Sequence, residues 1–250
     1  MKLNKAKMRM MAGKPALGTV LGMGSPEVAG VLARSKFDFL LLDAQHGAWN
    51  LQTAGEALWN IGVAGHIGMV RVVKNDFFAI GSMLDRGALG VVVPMVETVE
   101  EARAAVDAAR YAPQGRRSVG GSSMRSWQSV GNDGINEEIF VAVQIETRLG
   151  VERAADILAV DGVDGCWIGP SDLALSLEVE EGHPVHEKAI LQVLEACRQT
   201  GKIPGICGPG RQSQWLEAGF LFVTVGSDGG CVSRGAASIV QSYAQGPWNA

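Results

Sequence analysis

FVAVQIETRLGVERAADILAVDGVDGCWIG, residues 140–169, sets two short apolar runs on either side of a helical pattern. FVAVQIE (140–146) and VDGCWIG (163–169) are apolar at successive positions rather than alternate ones. Strands of that kind are buried on both faces, as in a parallel sheet covered by helices. TRLGVERAADILAV between them has the length and spacing of a crossover helix.

Working outward, the pattern recurs. ALGTVLG (16–22), FDFLLLD (37–43), HIGMVRV (66–72), LGVVVP (89–94), KIPGIC (202–207) and FLFVTVG (220–226) are further runs, with helical patterns between most of them. Ser25 and Pro26 suit the start of one helix, and Asn50 the cap of the next. Eight strand–helix units within 250 residues predict one (β/α)₈ TIM barrel domain over residues 1–250. The competing fold, an open doubly wound sheet, lacks its G-x-G-x-x-G turn, since GMGSPEVAG (22–30) is only superficially glycine-rich. The opening MKLNKAKMRMMAGKPALG reads as an amphipathic helix, not a signal peptide.

Composition narrows the function. A 47% apolar chain with 33 glycines supports a large core with many tight junctions. Lys plus Arg is 22 against 26 Asp plus Glu, a balance that gives nucleic acid or an anionic membrane no basic footprint. No run approaches 18 apolar residues. Cys166, Cys197, Cys207 and Cys231 show no C-x-x-C spacing, which predicts free thiols in a reducing cytoplasm.

The strand ends carry the chemistry. Asp43, Arg71 and Glu146 lie at the ends of their runs, and Asp172 follows GCWIGP. A core strand cannot bury a charge cheaply, so these residues belong at the barrel rim. Glu146 and Asp172, on neighbouring strands, are candidate ligands for a hard divalent cation; alternatives are an N-cap for Asp172 and a rim salt bridge for Glu146. Gln144 shares the Glu146 face by the two-residue strand period. Arg71 offers forked donors to carboxylate or enolate oxygens, or an internal ion pair with Asp43 or Asp85. His46, in LLLDAQHG, is a candidate proton carrier. Gly169, Pro170, Ser171 and Asp172 offer backbone N–H groups to a small anion. His66 reads as structural, and His183 and His186 as a surface segment at a helix start. The polar stretch 111–138, with Arg116, Arg117, Arg125 and Trp127, is too polar and glycine-rich for a core helix and reads either as a long lid or subunit contact or as a solvated connection stapled by aromatic packing.

At these residues the chain resembles the HpcH/HpaI-type class II pyruvate aldolases. The likeness covers nearly the whole chain and is sharpest in LLLDAQHG, GVVVPMVETVEEARAAVDAARYAPQGRRSVG, VQIETRLGVE and VDGCWIGPSDLALSL. That family includes enzymes acting on 4-hydroxy-2-oxoheptanedioate and 2-dehydro-3-deoxyglucarate. The resemblance implies Mg²⁺, Mn²⁺ or Co²⁺ held by Glu146 and Asp172. It also implies a His46–Asp85 dyad, Arg71 on the pyruvate carbonyl and enolate, Gln144 near the substrate, and Asp43 in support. A hexamer, built as a trimer of dimers with C-terminal helices exchanged between subunits, is implied too. Two departures stand out: Gln45 replaces the usual glutamate beside the histidine, and AWN (48–50) replaces A/P-x-D. Loss of that carboxylate predicts an altered pH optimum, and Trp49 either narrows the aldehyde end of the pocket or covers the barrel. The expected reaction is cleavage of a 4-hydroxy-2-oxo acid to pyruvate and an aldehyde. Oxaloacetate decarboxylation, related 2-oxo acid lysis and a non-catalytic metabolite-binding role are the alternatives. Lys74 lacks a desolvating pocket, which disfavours Schiff-base chemistry.

Overall fold

Eight parallel strands close into a barrel in chain order, β1 (Ala16–Leu21), β2 (Phe39–Asp43), β3 (Gly68–Arg71), β4 (Gly90–Val93), β5 (Phe140–Ile145), β6 (Gly165–Ile168), β7 (Gly205–Cys207) and β8 (Phe222–Ser227). Each falls on one of the eight runs read from the sequence. β1 pairs with β8 to close the ring, with Gly18 opposite Thr224. These coordinates are a computed structural model that describes residues 4–120 and 132–244.

Among the described residues the helices are α1 (Lys5–Met11), α2 (Pro26–Leu32), α3 (Leu51–Val63), α4 (Phe77–Asp85), α5 (Val99–Ala109), α6 (Asn132–Glu138), α7 (Arg148–Glu152), α8 (Ala154–Leu158), α9 (Pro170–Ser176), α10 (Pro184–Thr200), α11 (Gln212–Ala218) and α12 (Asp228–Ala244). Side-chain caps fix where several begin. Asn50 accepts from the backbone N–H groups of Gln52 and Thr53, and Thr98 and Glu101 form a reciprocal capping box. These starts lie just beyond strand ends, so local capping sets how much loop stands at the rim.

Aromatic side chains fill the lower barrel. Phe222 packs on Phe39 and Phe140 with ring centroids 4.6 and 5.0 Å away. Gly18 makes room for them, since a Cβ there would stand 2.2 Å from the Phe39 ring. Beneath this layer α1 acts as a plug. Lys7 Nζ donates to the Ile139 carbonyl at 2.8 Å and pairs with Asp164 at 2.9 Å, and Arg110 reaches the same carboxylate at 2.7 Å. Burial lowers the Lys7 pKa, and the Asp164 charge opposes that shift.

The stretch 111–138 departs from expectation. Its last seven residues form α6, where Ile135 and Asn136 are buried. Asn136 Oδ1 accepts from the Tyr111 N–H at 2.8 Å, and its amide donates to the Tyr111 carbonyl at 3.0 Å. A buried amide with both ends satisfied offsets the polar composition that argued against a helix. Arg125 and Trp127 lie outside the described residues. Among the described residues no helix is long and apolar enough to cross a membrane.

Candidate active site

Asp43 and Arg71 stand opposite each other in the β2–β3 register. Arg71 Nε donates to Asp43 Oδ1 at 2.8 Å and Nη2 to Oδ2 at 2.5 Å, a forked pair with both residues buried. Asp43 Oδ1 also accepts from the backbone N–H groups of Gln45 and His46, at 3.1 and 3.2 Å. Asp43 is therefore a clamp: it fixes the guanidinium and the turn that carries His46. The guanidinium lies 5.3 Å from the Trp167 ring centroid and lines a cavity of about 500 Å³ at the rim.

Glu146 follows β5 and is 2% exposed. Its Oε1 accepts from the Met95 N–H at 3.0 Å, and its Oε2 from the Gln144 amide. Met95 adopts φ 56°, a left-handed conformation costly for a side-chain-bearing residue and common at functional sites. Asp172, exposed to the cavity from the first turn of α9, brings its carboxyl close enough to Glu146 to share a proton with it. Burial raises the Glu146 pKa to about 7, and Asp172 adds to that shift; the Met95 N–H and Arg71 oppose it. Gly169 is required here, because a Cβ would stand 2.7 Å from Glu146 Oε2. The α9 N-cap is Gly169, with no side-chain cap, so Asp172 is not consumed in capping.

Two neighbouring carboxylates, one of them buried, suit a hard divalent cation. Glu146 and Asp172 could hold one. Among the described residues no group of three or more His, Cys, Asp or Glu side chains is placed to hold a metal ion, which leaves room for water or substrate oxygens beside this pair. Gln144 Oε1 is buried without a partner and could orient such a water.

The rest of the cavity includes His46, Pro170, Ser171, Cys207, Ser227 and Arg234. Ser171 Oγ donates to Glu181 at 2.6 Å. Asp85, at the end of α4, does not line the cavity and forms neither a hydrogen bond nor an ion pair with His46. Arg117 Nη2 holds the Asp85 carboxylate at 2.7 Å. Arg117 is buried under the Tyr111 ring, its guanidinium 4.7 Å from the centroid, and needs that counter-charge. Trp49 donates to the Leu21 carbonyl at 2.6 Å and packs on the core, so it covers the barrel. Lys74 is exposed.

Sequence reasoning passed over His186, which is fully buried, not part of a surface segment. Its Nδ1 accepts from the Gly182 N–H at 3.1 Å, so Nε2 carries the proton and donates to the Pro170 carbonyl at 3.0 Å. It thereby braces the turn that carries Asp172. The signal was present: 186, 189, 190, 193, 194 and 197 form the buried stripe of α10.

Residues 20–234 match the family model described as HpcH/HpaI aldolase/citrate lyase. A 4-hydroxy-2-oxo-heptane-1,7-dioate aldolase of Klebsiella pneumoniae is 39% identical, covering 96% of this chain and 94% of its own. Its namesake in Escherichia coli is 38% identical over 96% and 95% of the two chains. A solved HpcH/HpaI aldolase/citrate lyase family protein from Burkholderia cenocepacia superimposes with a TM-score of 0.89 at 30% identity, covering 96% of this chain and 99% of that one. With a family match over most of its length and relatives of such similarity, the chain belongs to the HpcH/HpaI aldolase/citrate lyase family and is a carbon–carbon lyase of the aldolase type.

Proposed function

We propose that this protein reversibly cleaves a 4-hydroxy-2-oxo acid to pyruvate and an aldehyde, with a divalent cation at Glu146 and Asp172. The observation that supports the reading is a cavity at the rim lined by Asp172 and the clamped Arg71, with the buried Glu146 carboxyl near enough to Asp172 to feel its charge. Mg²⁺, Mn²⁺ or Co²⁺ bound there would supply Lewis-acid polarisation of the 2-oxo group.

Arg71 faces the oxygen on which charge develops. Asp43 uses two of its five N–H groups and holds the rest in place, so little reorganisation is needed as the enolate forms. His46, at the cavity rim, takes the proton of the C4 hydroxyl. The C3–C4 bond then breaks: its electron pair becomes the pyruvate enolate, and C4 leaves as the aldehyde carbonyl. Return of a proton to C3 completes pyruvate. Gly169, Pro170 and Ser171 line the acid end, and Gln144 orients the buried carboxylate while its unpartnered Oε1 is available to a water. The named activity of the curated relatives, on 4-hydroxy-2-oxo-heptane-1,7-dioate, supports this class of substrate.

The test is pyruvate release from racemic 4-hydroxy-2-oxo acids before and after chelation, with Mn²⁺ or Mg²⁺ restored. Activity should vanish and return. Chelation without effect, or borohydride trapping of substrate on Lys74, would overturn the reading. Oxaloacetate decarboxylation passes through the same enolate, so it is expected as a side activity.

A further inference from the structure

The cavity contains a second guanidinium. Arg234, in the second turn of α12, lines it together with His46, Arg71 and Asp172. Its side chain folds back over the end of β8. Nη2 lies 3.6 Å from the place a Cβ would take on Gly226, and Nη1 3.3 Å from that place on Gly230. Bare backbone at those two positions forms the shelf on which the guanidinium rests.

The two arginines differ in how they are spent. Arg71 is neutralised by Asp43. Arg234 forms no ion pair among the described residues, and its side-chain contact is a weak one, to Cys231 Sγ at 3.9 Å. A planar fork of N–H donors beside a cavity is suited to two-point recognition of a carboxylate.

Position adds direction. The carboxylate pair comes from β5 and the turn after β6, while Arg234 reaches in above β8. A substrate held at its 2-oxo acid end by Glu146, Asp172 and Arg71 has its C4 end left to extend across the cavity. A volume of about 500 Å³ accepts a chain of several carbons beyond the bond that breaks.

We infer that Arg234 is a specificity residue that binds a carboxylate at the far end of the aldehyde portion. Preferred substrates are then 4-hydroxy-2-oxo diacids, released as pyruvate plus an aldehyde acid. This rests on the lyase reading above; a diacid is the substrate for which the curated relatives are named, and the new step is the residue that reads its far carboxylate.

The experiment compares kcat/KM for 4-hydroxy-2-oxoheptanedioate and 4-hydroxy-2-oxoheptanoate, which differ only in the terminal carboxylate. Wild type and the Arg234→Met and Arg234→Lys variants are assayed as metal-saturated protein, with circular dichroism as a check on folding. Wild type should prefer the diacid, and added KCl should narrow the preference. Arg234→Met should lose at least about tenfold more on the diacid than on the monoacid, and Arg234→Lys should recover part of that difference. Equal losses on both substrates, or wild type without a diacid preference, would overturn the inference while leaving the lyase reading intact. A wild-type protein that releases pyruvate from neither substrate would overturn both.

Discussion

Arg71 and Asp43 illustrate a residue pair whose stability and catalytic contributions separate. Replacing Arg71 with Met leaves a buried carboxylate without its counter-charge, at a cost of about 3 kcal/mol. The same change removes a preorganised donor and should lower kcat by roughly 10²–10³. Adding Asp43→Asn to Arg71→Met should restore much of the stability but none of the turnover. Recovery of both would mean the guanidinium acts only as scaffold. Glu146 behaves in the opposite sense. Its folded pKa of about 7 exceeds the ordinary 4.5, so the folded metal-free protein holds a proton that the unfolded chain has released. Stability is therefore lost as pH rises from 4.5 through 7. Glu146→Gln, which cannot ionise, should be the more stable protein above pH 7 in chelator, by about 2–3 kcal/mol, and should converge with wild type below pH 4.5. It should also lose metal-dependent turnover. Chemical denaturation at pH 5 and pH 8 checks the sign; a gap that is the same at both pH values would refute it.

At the scale of elements, the strands were legible because each is apolar on both faces, and the charges ending them could only sit at a rim. Asp43, Arg71, Glu146 and Asp172 were found that way. The Arg117–Asp85 pair was not, because one partner ends a helix and the other lies in a polar stretch with no period to reveal its burial. Likewise α6 is short, and its buried amide is satisfied by a residue 25 positions away, a contact no local window contains. His186 was legible in principle, from the α10 stripe, but its neighbours GHPVHE looked like surface. Its role gives a test at this scale. His186→Leu removes the donor to Pro170, loosening the turn between β6 and α9 while α10 keeps its apolar stripe. The half-saturating Mn²⁺ concentration should rise about tenfold or more, with helix content unchanged. His186→Gln, which can keep an amide donor there, should recover part of that loss. Equal Mn²⁺ demand in all three proteins would show that the histidine only fills space.

For the whole molecule the telling element is α12. Its first residue, Asp228, is buried and accepts from the N–H groups of Gly22 and Met23, which ties the helix start to the loop after β1. From 232 to 244 no residue is buried. Val232, Ile239 and Val240 fall on one helical face and are 51%, 62% and 68% exposed. A helix of 17 residues gains little from propensity alone and needs its apolar stripe covered. The cover we propose is a second copy of this chain, in line with the exchanged C-terminal helices that the sequence resemblance implies. Wild type should then sediment well above its 26.4 kDa chain mass, and the double variant Ile239→Asp/Val240→Asp should shift toward it. A wild-type protein that is monomeric at micromolar concentration would refute this. Because Arg234 rides on the same helix, the double variant should also lose its discrimination between diacid and monoacid before it loses pyruvate release. Glu146, Asp172 and Arg71 depend on the barrel rim and should outlast the helix that reads the far end of the substrate.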